Sequence, residues 1–175
     1  LANQRVVFDA IEMTDWRMSA ETFPDGSHNF PRFTRSGPRN PSDWTTTLQY
    51  IRAYRGEFVY TDHGTPWSMI SRNVDVVITR PTSEYRGQAS YSDGTIVIQD
   101  YEPMGADMST TFRVVGDKLV LDQIDLTTDG AQSVITGEVD VAHWPEQTYQ
   151  IRSRIQLPQM REIFFAHDEF SLSGE

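Results

Sequence analysis

Near its C-terminal end the chain reads "QTYQIRSRIQLPQ", and from Tyr149 to Leu157 its residues sort by parity. Tyr149, Ile151, Ile155 and Leu157 fall on one parity, and Gln150, Arg152, Arg154 and Gln156 on the other. A period of two is that of a β-strand, whose successive side chains leave opposite faces. The stretch therefore makes a ribbon roughly 30 Å long, at about 3.3 Å per residue, apolar on one side and wet on the other. The apolar side must meet either a core or a ligand.

The same grammar runs through most of the chain. Strands are expected at residues 5–13, 15–23, 46–54, 57–62, 72–80, 85–92, 95–102, 107–115, 118–127, 131–141 and 148–157. In the second of these, Trp16, Met18 and Ala20 share a face. Asp93-Gly94, Gly116-Asp117 and Asp129-Gly130 fall at joins, where tight hairpins need residues that tolerate positive φ. Parity slips between Leu121 and Ile124, which places a bulge near Asp122 or Gln123. Residues 29–44, with Pro31, Pro38, Pro41 and Gly37, form a candidate internal linker, because proline lacks an N–H and fixes φ. It would divide the chain into approximate sub-modules 1–28 and 45–175. Residues 157–169 carry the main helical spacing, with Met160, Ile163, Phe164 and His167 on one side and Pro158 in the first turn.

The expected class is thus mainly β: a long antiparallel meander with one short helix near the C-terminus, its alternative a closed β-sandwich. The 175 residues suffice for one ordinary domain with a sizeable core. The start at Leu1 and the stop inside "FSLSGE", itself alternating, suggest a single β-rich segment excised from a longer modular chain.

A net charge of −10 without a dense basic patch argues against nucleic acid. Cysteine is absent, so no disulfide frame or thiolate metal site can form. No GxSxG, HExxH, phosphate loop or EF-hand spacing occurs, and no histidine has another at ligand spacing. "TDHGTPW" places Asp62 beside His63, as in an oriented general base, but its composition is also that of a turn leaving a strand. "HDE" at 167–169 reads as a helix end sooner than a metal site. Trp16, Trp44, Trp67 and Trp144 could stack on sugars, or simply fill strand faces. Asp122, Asp125 and Asp129 in "DQIDLTTDG" read as the wet side of a strand. No catalytic residue, metal or cofactor is expected, and no enzymatic activity.

One further pattern spans most of the chain. "DLTTDGAQSVITGEVDVAHWPEQTYQIRSRIQLPQMREIFF", preceded by "RGQASYSDGTIVIQDYEPMGADMSTTFRVVGDKLVLDQI", resembles the TamB/AsmA-like family of bacterial envelope proteins. The likeness lies in a hairpin, "xxGxVDV", and an alternating strand that ends in a short apolar helical segment. "IEMTDWRMSAETFPDGSHNFPRFT" is similar to the N-terminal part of such proteins. The resemblance implies a periplasmic segment of a chain anchored in the inner membrane. It would form a curved, taco-like open β-groove that binds or conducts lipid acyl chains in outer-membrane biogenesis, with bound phospholipid in place of a cofactor. Implied partners are lipid, adjacent modules of the same chain, and an outer-membrane assembly factor or other membrane complex.

The candidate groove lining is Phe112, Val114, Leu119, Leu121, Ile124, Leu126, Ile135, Val139, Val141, Tyr149, Ile151, Ile155 and Leu157. The same residues could instead pack on one another in a closed sandwich. Two readings of other classes stand beside the groove: a structural module docking on a membrane complex through its edge strands, and a carbohydrate-binding sandwich.

Overall fold

The computed structural model describes residues 5–29, 45–81, 84–140 and 146–165. Alternation yields strands throughout: β1 (Arg5–Phe8), β2 (Ile11–Thr14), β3 (Arg17–Thr22), β4 (Thr45–Leu48), β5 (Tyr50–Asp62), β6 (Trp67–Thr79), β7 (Tyr85–Ile98), β8 (Met104–Val115), β9 (Lys118–Thr128), β10 (Ala131–Asp140) and β11 (Gln147–Ile155). One helix, α1 (Leu157–Phe164), follows with Pro158 in its first turn. Residues 30–44 of the candidate linker and the "HDE" cluster lie outside the described residues.

Nine strands form one open sheet in the order β11-β10-β9-β8-β7-β6-β5-β2, with β3 pairing β5 beyond the end of β2. From β5 to β11 every neighbour is antiparallel and consecutive in the chain. The mainly β, open meander is therefore the observed fold. The N-terminal strands depart from it: β2 and β3 run parallel to β5, and β1 runs parallel to β4 in a separate two-stranded sheet. A parallel pair needs a connection of a dozen or more residues, which the chain between β3 and β5 supplies. β2 and β3 consequently share a sheet with β5 to β11.

Two expected strand breaks are corrected. Asp93-Gly94 is not a hairpin join but a bulge inside β7, where the register shifts between Tyr91 and Gly94 and Asp93 adopts a φ of 57°. Gly56 likewise sits within β5, next to Arg55 at a φ of 51°. A bulge and a tight turn both ask for a residue that accepts the left-handed region, so the same dipeptide signals either. Gly116 and Gly130 do occupy turns, at φ 63° and 88°. The expected bulge in β9 is present, with Asp122 and Gln123 together facing a single residue of β10.

Because directly opposed residues share a face, the registers define rows across the sheet. One row runs Tyr149, Gly137, Leu121, Phe112, Gly87, Ile78, Ile51, Ile11. At about 4.8 Å per strand it is roughly 34 Å long. Another runs Ile151, Ile135, Ile124, Thr110, Ala89, Val76, Ala53, Met13. Among the described residues no second sheet or helix covers this apolar face. Its deepest part surrounds Val74, Tyr91 and Ala106, against which Trp16, Phe58, Met69, Ile96 and Met108 pack.

Aromatic rings lie over glycines on this face. A Cβ built on Gly87 would overlap the Phe112 ring, and one on Gly56 would overlap Trp16. The bare backbone thus supplies the floor on which each ring rests, an arrangement that lets a strand bend while its cross-strand partner covers the gap. Gly87→Ala should destabilise the protein by about 1–3 kcal/mol through overpacking. In urea denaturation the accompanying Phe112→Ala change should remove most of that additional cost, giving strong non-additivity.

Candidate functional site

Twelve of the thirteen candidate lining residues are described, and the structure brings eleven of them together at the C-terminal half of the apolar face, with Leu157 in the helix that follows. Phe112 and Val114 on β8 oppose Leu121 and Leu119 on β9. Ile124 opposes Ile135, Leu121 opposes Gly137, and Leu119 opposes Val139, which is buried. Ile151 and Tyr149 then oppose Ile135 and Gly137 from β11, while Ile155 opposes Ala131. Leu126 sits in register with Met108, and Leu157 begins α1. Val141 lies outside the described residues.

Exposure grades across this region. From β8 to β10 the candidate side chains are half-buried or buried, whereas Tyr149, Ile151, Ile155 and Leu157 are 41%, 60%, 53% and 57% exposed. Only neighbouring strands shield an uncovered face, and β11 has a described neighbour on one side alone. Desolvation of the Tyr149 ring raises its phenol above the usual tyrosine range. The helix marks one rim: the Gln156 N–H donates to the Gly130 carbonyl at 2.8 Å, and Phe164 meets Tyr101 edge to face at 5.1 Å.

The candidate lining left out the N-terminal half of the same face, although the shared parity of Trp16, Met18 and Ala20 holds and Met18 stands opposite Phe58. Phe58, Met69, Val74, Val76, Ile78, Tyr91, Ile96 and Met108 continue it across β5 to β8. The signal was present in the alternation of Val74, Val76 and Ile78, but bulges in β5, β6 and β7 reset parity within each strand. A one-residue slip moves a side chain to the other face.

The opposite face is polar and laced by ion pairs. Arg113 donates to Asp122 at 2.8–3.0 Å, Lys118 pairs with Glu138, and Arg17 reaches Glu57 at 3.1 Å. Open depressions of about 460 and 570 Å³ lie on this side, the first lined by Asp75, Gln88, Ser90, Ser109, Thr111 and Asp125 among others. The apolar candidates therefore form an open face and not an enclosed pocket.

The remaining polar motifs resolve into turns. Asp62 accepts the N–H groups of Gly64 and Thr65 at 2.8 and 3.0 Å, and those bonds, with Thr65 first, hold its carboxyl below the usual range. His63 is oriented by Glu21 at 3.4 Å and stacks on Phe23, so Asp62 does not hold it as a base. Trp67 packs on Tyr60 at 4.8 Å, and Asp129 accepts the Gly105 N–H at 2.6 Å. Trp44 and Trp144 lie outside the described residues. Comparison with protein-family models, characterised proteins and solved structures returns no match.

The Arg113 hydrogen bonds place the Asp122 carboxyl below the ordinary aspartate range. Its stabilisation is present above the unfolded value near 3.8 and lost as pH falls through the lowered folded value. Both partners are more than a third exposed, so the effect stays within about 1 kcal/mol. Asp122→Asn should remove that increment at neutral pH and flatten the acid limb of stability against pH, as read by urea titration.

Proposed function

We propose that this chain is a segment of a β-groove that holds lipid acyl chains on its apolar face. Its setting would be a TamB/AsmA-like protein of the bacterial envelope, exposed to the periplasm and serving outer-membrane biogenesis. The observation that carries the reading is an apolar face continuous across the nine-stranded sheet, uncovered among the described residues and increasingly exposed toward β11.

An amphipathic sheet is ordinarily stable only when its apolar side is packed on another layer. Acyl chains can supply that layer. Each methylene removed from water contributes about 0.8 kcal/mol, and the interaction needs no directional polar contact. Shape and apolar area are then sufficient, which accords with an open face free of charged side chains in its long cross-strand rows. Bulges in five consecutive strand pairings, β5–β6 through β9–β10, strengthen local twist and give a long sheet the means to curl around its contents.

Native mass spectrometry of the purified protein, followed by organic extraction and lipid identification, tests the proposal. Phospholipid should accompany the wild type. The Ile151→Asp, Ile155→Asp variant should keep its β-sheet circular dichroism and lose at least tenfold of the bound lipid. A folded wild type that carries no lipid and takes up none from phospholipid vesicles would overturn the reading.

A further inference from the structure

The deepest part of the apolar face is not wholly apolar. Ser71 of β6 is 1% exposed and opposes Phe58 of β5, which places it on that face, and its hydroxyl has no hydrogen-bond partner among the described residues. The indole Nε1 of Trp16 is likewise buried and unpartnered among them. A Cβ on Gly56 would fall on Cε2 of Trp16, the ring carbon bonded to that nitrogen. The N–H therefore sits over β5 where Gly56 opposes Val74, beside the Phe58–Ser71 pair. Tyr91, 7% exposed, reaches from β7 to β6 and donates its hydroxyl to the Met69 sulfur at 3.6 Å, a weak acceptor. Burial raises the Tyr91 phenol above the usual tyrosine range; the Ser71 hydroxyl beside it opposes the rise, and the Asp107 carboxylate adds to it. Val74 and Tyr91 belong to one buried cluster, on which Trp16, Phe58 and Met69 pack.

A buried donor without an acceptor forfeits the hydrogen bond that water gave it in the unfolded chain, and folded proteins seldom leave such groups unpaired. We infer that Ser71, Tyr91 and Trp16 form a seat for the neutral carbonyl group of an acyl ester, set within the lipid-holding face proposed above, on which reading the assignment rests. The carbonyl oxygen has two lone pairs for the Ser71 and Tyr91 hydroxyls. The Trp16 N–H is a donor only, so this side of the seat accepts nothing in return. Met69 is unbranched and flexible, and its sulfur holds the Tyr91 proton only weakly, so it can swing aside for a stronger acceptor.

The surroundings select among acceptors. A free fatty acid would bring a carboxylate into a cluster whose residues carry no cation, and a buried charge without a partner is costly. The Asp107 carboxylate, already felt at Tyr91, would repel it further. A water molecule would bring two donors of its own, for which the cluster offers little besides the Ser71 oxygen and the Met69 sulfur. An ester brings acceptors alone and carries apolar chain onto the rest of the face.

Two probes of similar chain length separate the seat from the face: methyl oleate carrying carbon-13 at its carbonyl, and the hydrocarbon octadecene. Binding to the delipidated 175-residue chain is read by displacement of a fluorescent alkyl reporter, and the bound ester by isotope-edited infrared spectroscopy. In the wild type the carbonyl stretch should lie below its position in hexane, the mark of an accepted hydrogen bond. In the Ser71→Ala, Tyr91→Phe variant it should return toward that position, and the ratio of ester to hydrocarbon affinity should fall roughly tenfold, as expected for two lost hydrogen bonds of ordinary net strength. Each single substitution should give part of both effects. Ser71→Ala should also leave the urea midpoint of the lipid-free protein unchanged or raised, because it removes an unpaired hydroxyl. A lowered midpoint would show that hydroxyl already bonded within the protein or to a water, and would overturn the assignment. An unshifted carbonyl band, or an affinity ratio unchanged in the double variant, would overturn the seat and leave the groove reading standing. Failure of both probes to bind would overturn the groove reading, and the seat with it.

Discussion

Everything in this molecule follows from one unbalanced surface: a sheet with an apolar side and a polar side, of which only the polar side is at ease in water. Burial is usually achieved by stacking a second layer. Here each apolar residue is shielded mainly by its flanking strands. The most buried side chains therefore include small ones, such as Ala20, Ala53 and Ala106, and those at irregular points, such as Val74 and Tyr91. Larger side chains remain half-exposed, and the sheet is left with contact area to give to something else.

The irregularities are a consequence of making one sheet so wide. Broad sheets cannot stay flat, since the preferred twist accumulates from strand to strand. Left-handed residues at Arg55, Asn73 and Asp93 sit at the register shifts where that twist is concentrated. The Asp93 N–H is held by Asp107 at 3.0 Å, and the Arg55 N–H by Asp75 at 2.9 Å. Carboxylates on adjoining strands thus satisfy backbone donors that the disrupted ladder leaves unpaired.

This explains what could be read from the chain and what could not. Hydrophobic parity identified the strands from β8 to β11, the bulge at Asp122 and Gln123, and the face shared by Phe112, Ile124 and Ile151, because those stretches keep a steady period for several residues. Strand boundaries within β5 and β7 were misplaced because glycine and aspartate serve bulges as well as hairpins. The N-terminal half of the face was left out of the candidate lining for the same reason: parity carried across a bulge assigns the wrong side. Parallel pairing of β2 and β3 with β5 has no local signature at all, since it depends on a register between segments more than thirty residues apart.

The consecutive order of β5 to β11 also bears on how such a protein is made. From β6 to β10 each strand pairs with those just before and after it in the chain, so contacts close over short sequence separations and this part of the sheet can assemble by successive hairpins. Stability then accrues from neighbour to neighbour, as in repeat proteins. An array of this kind can gain or lose a hairpin at its growing edge while the rest keeps its registers. Length becomes a quantity that can change by increments, independent of any single irreplaceable core.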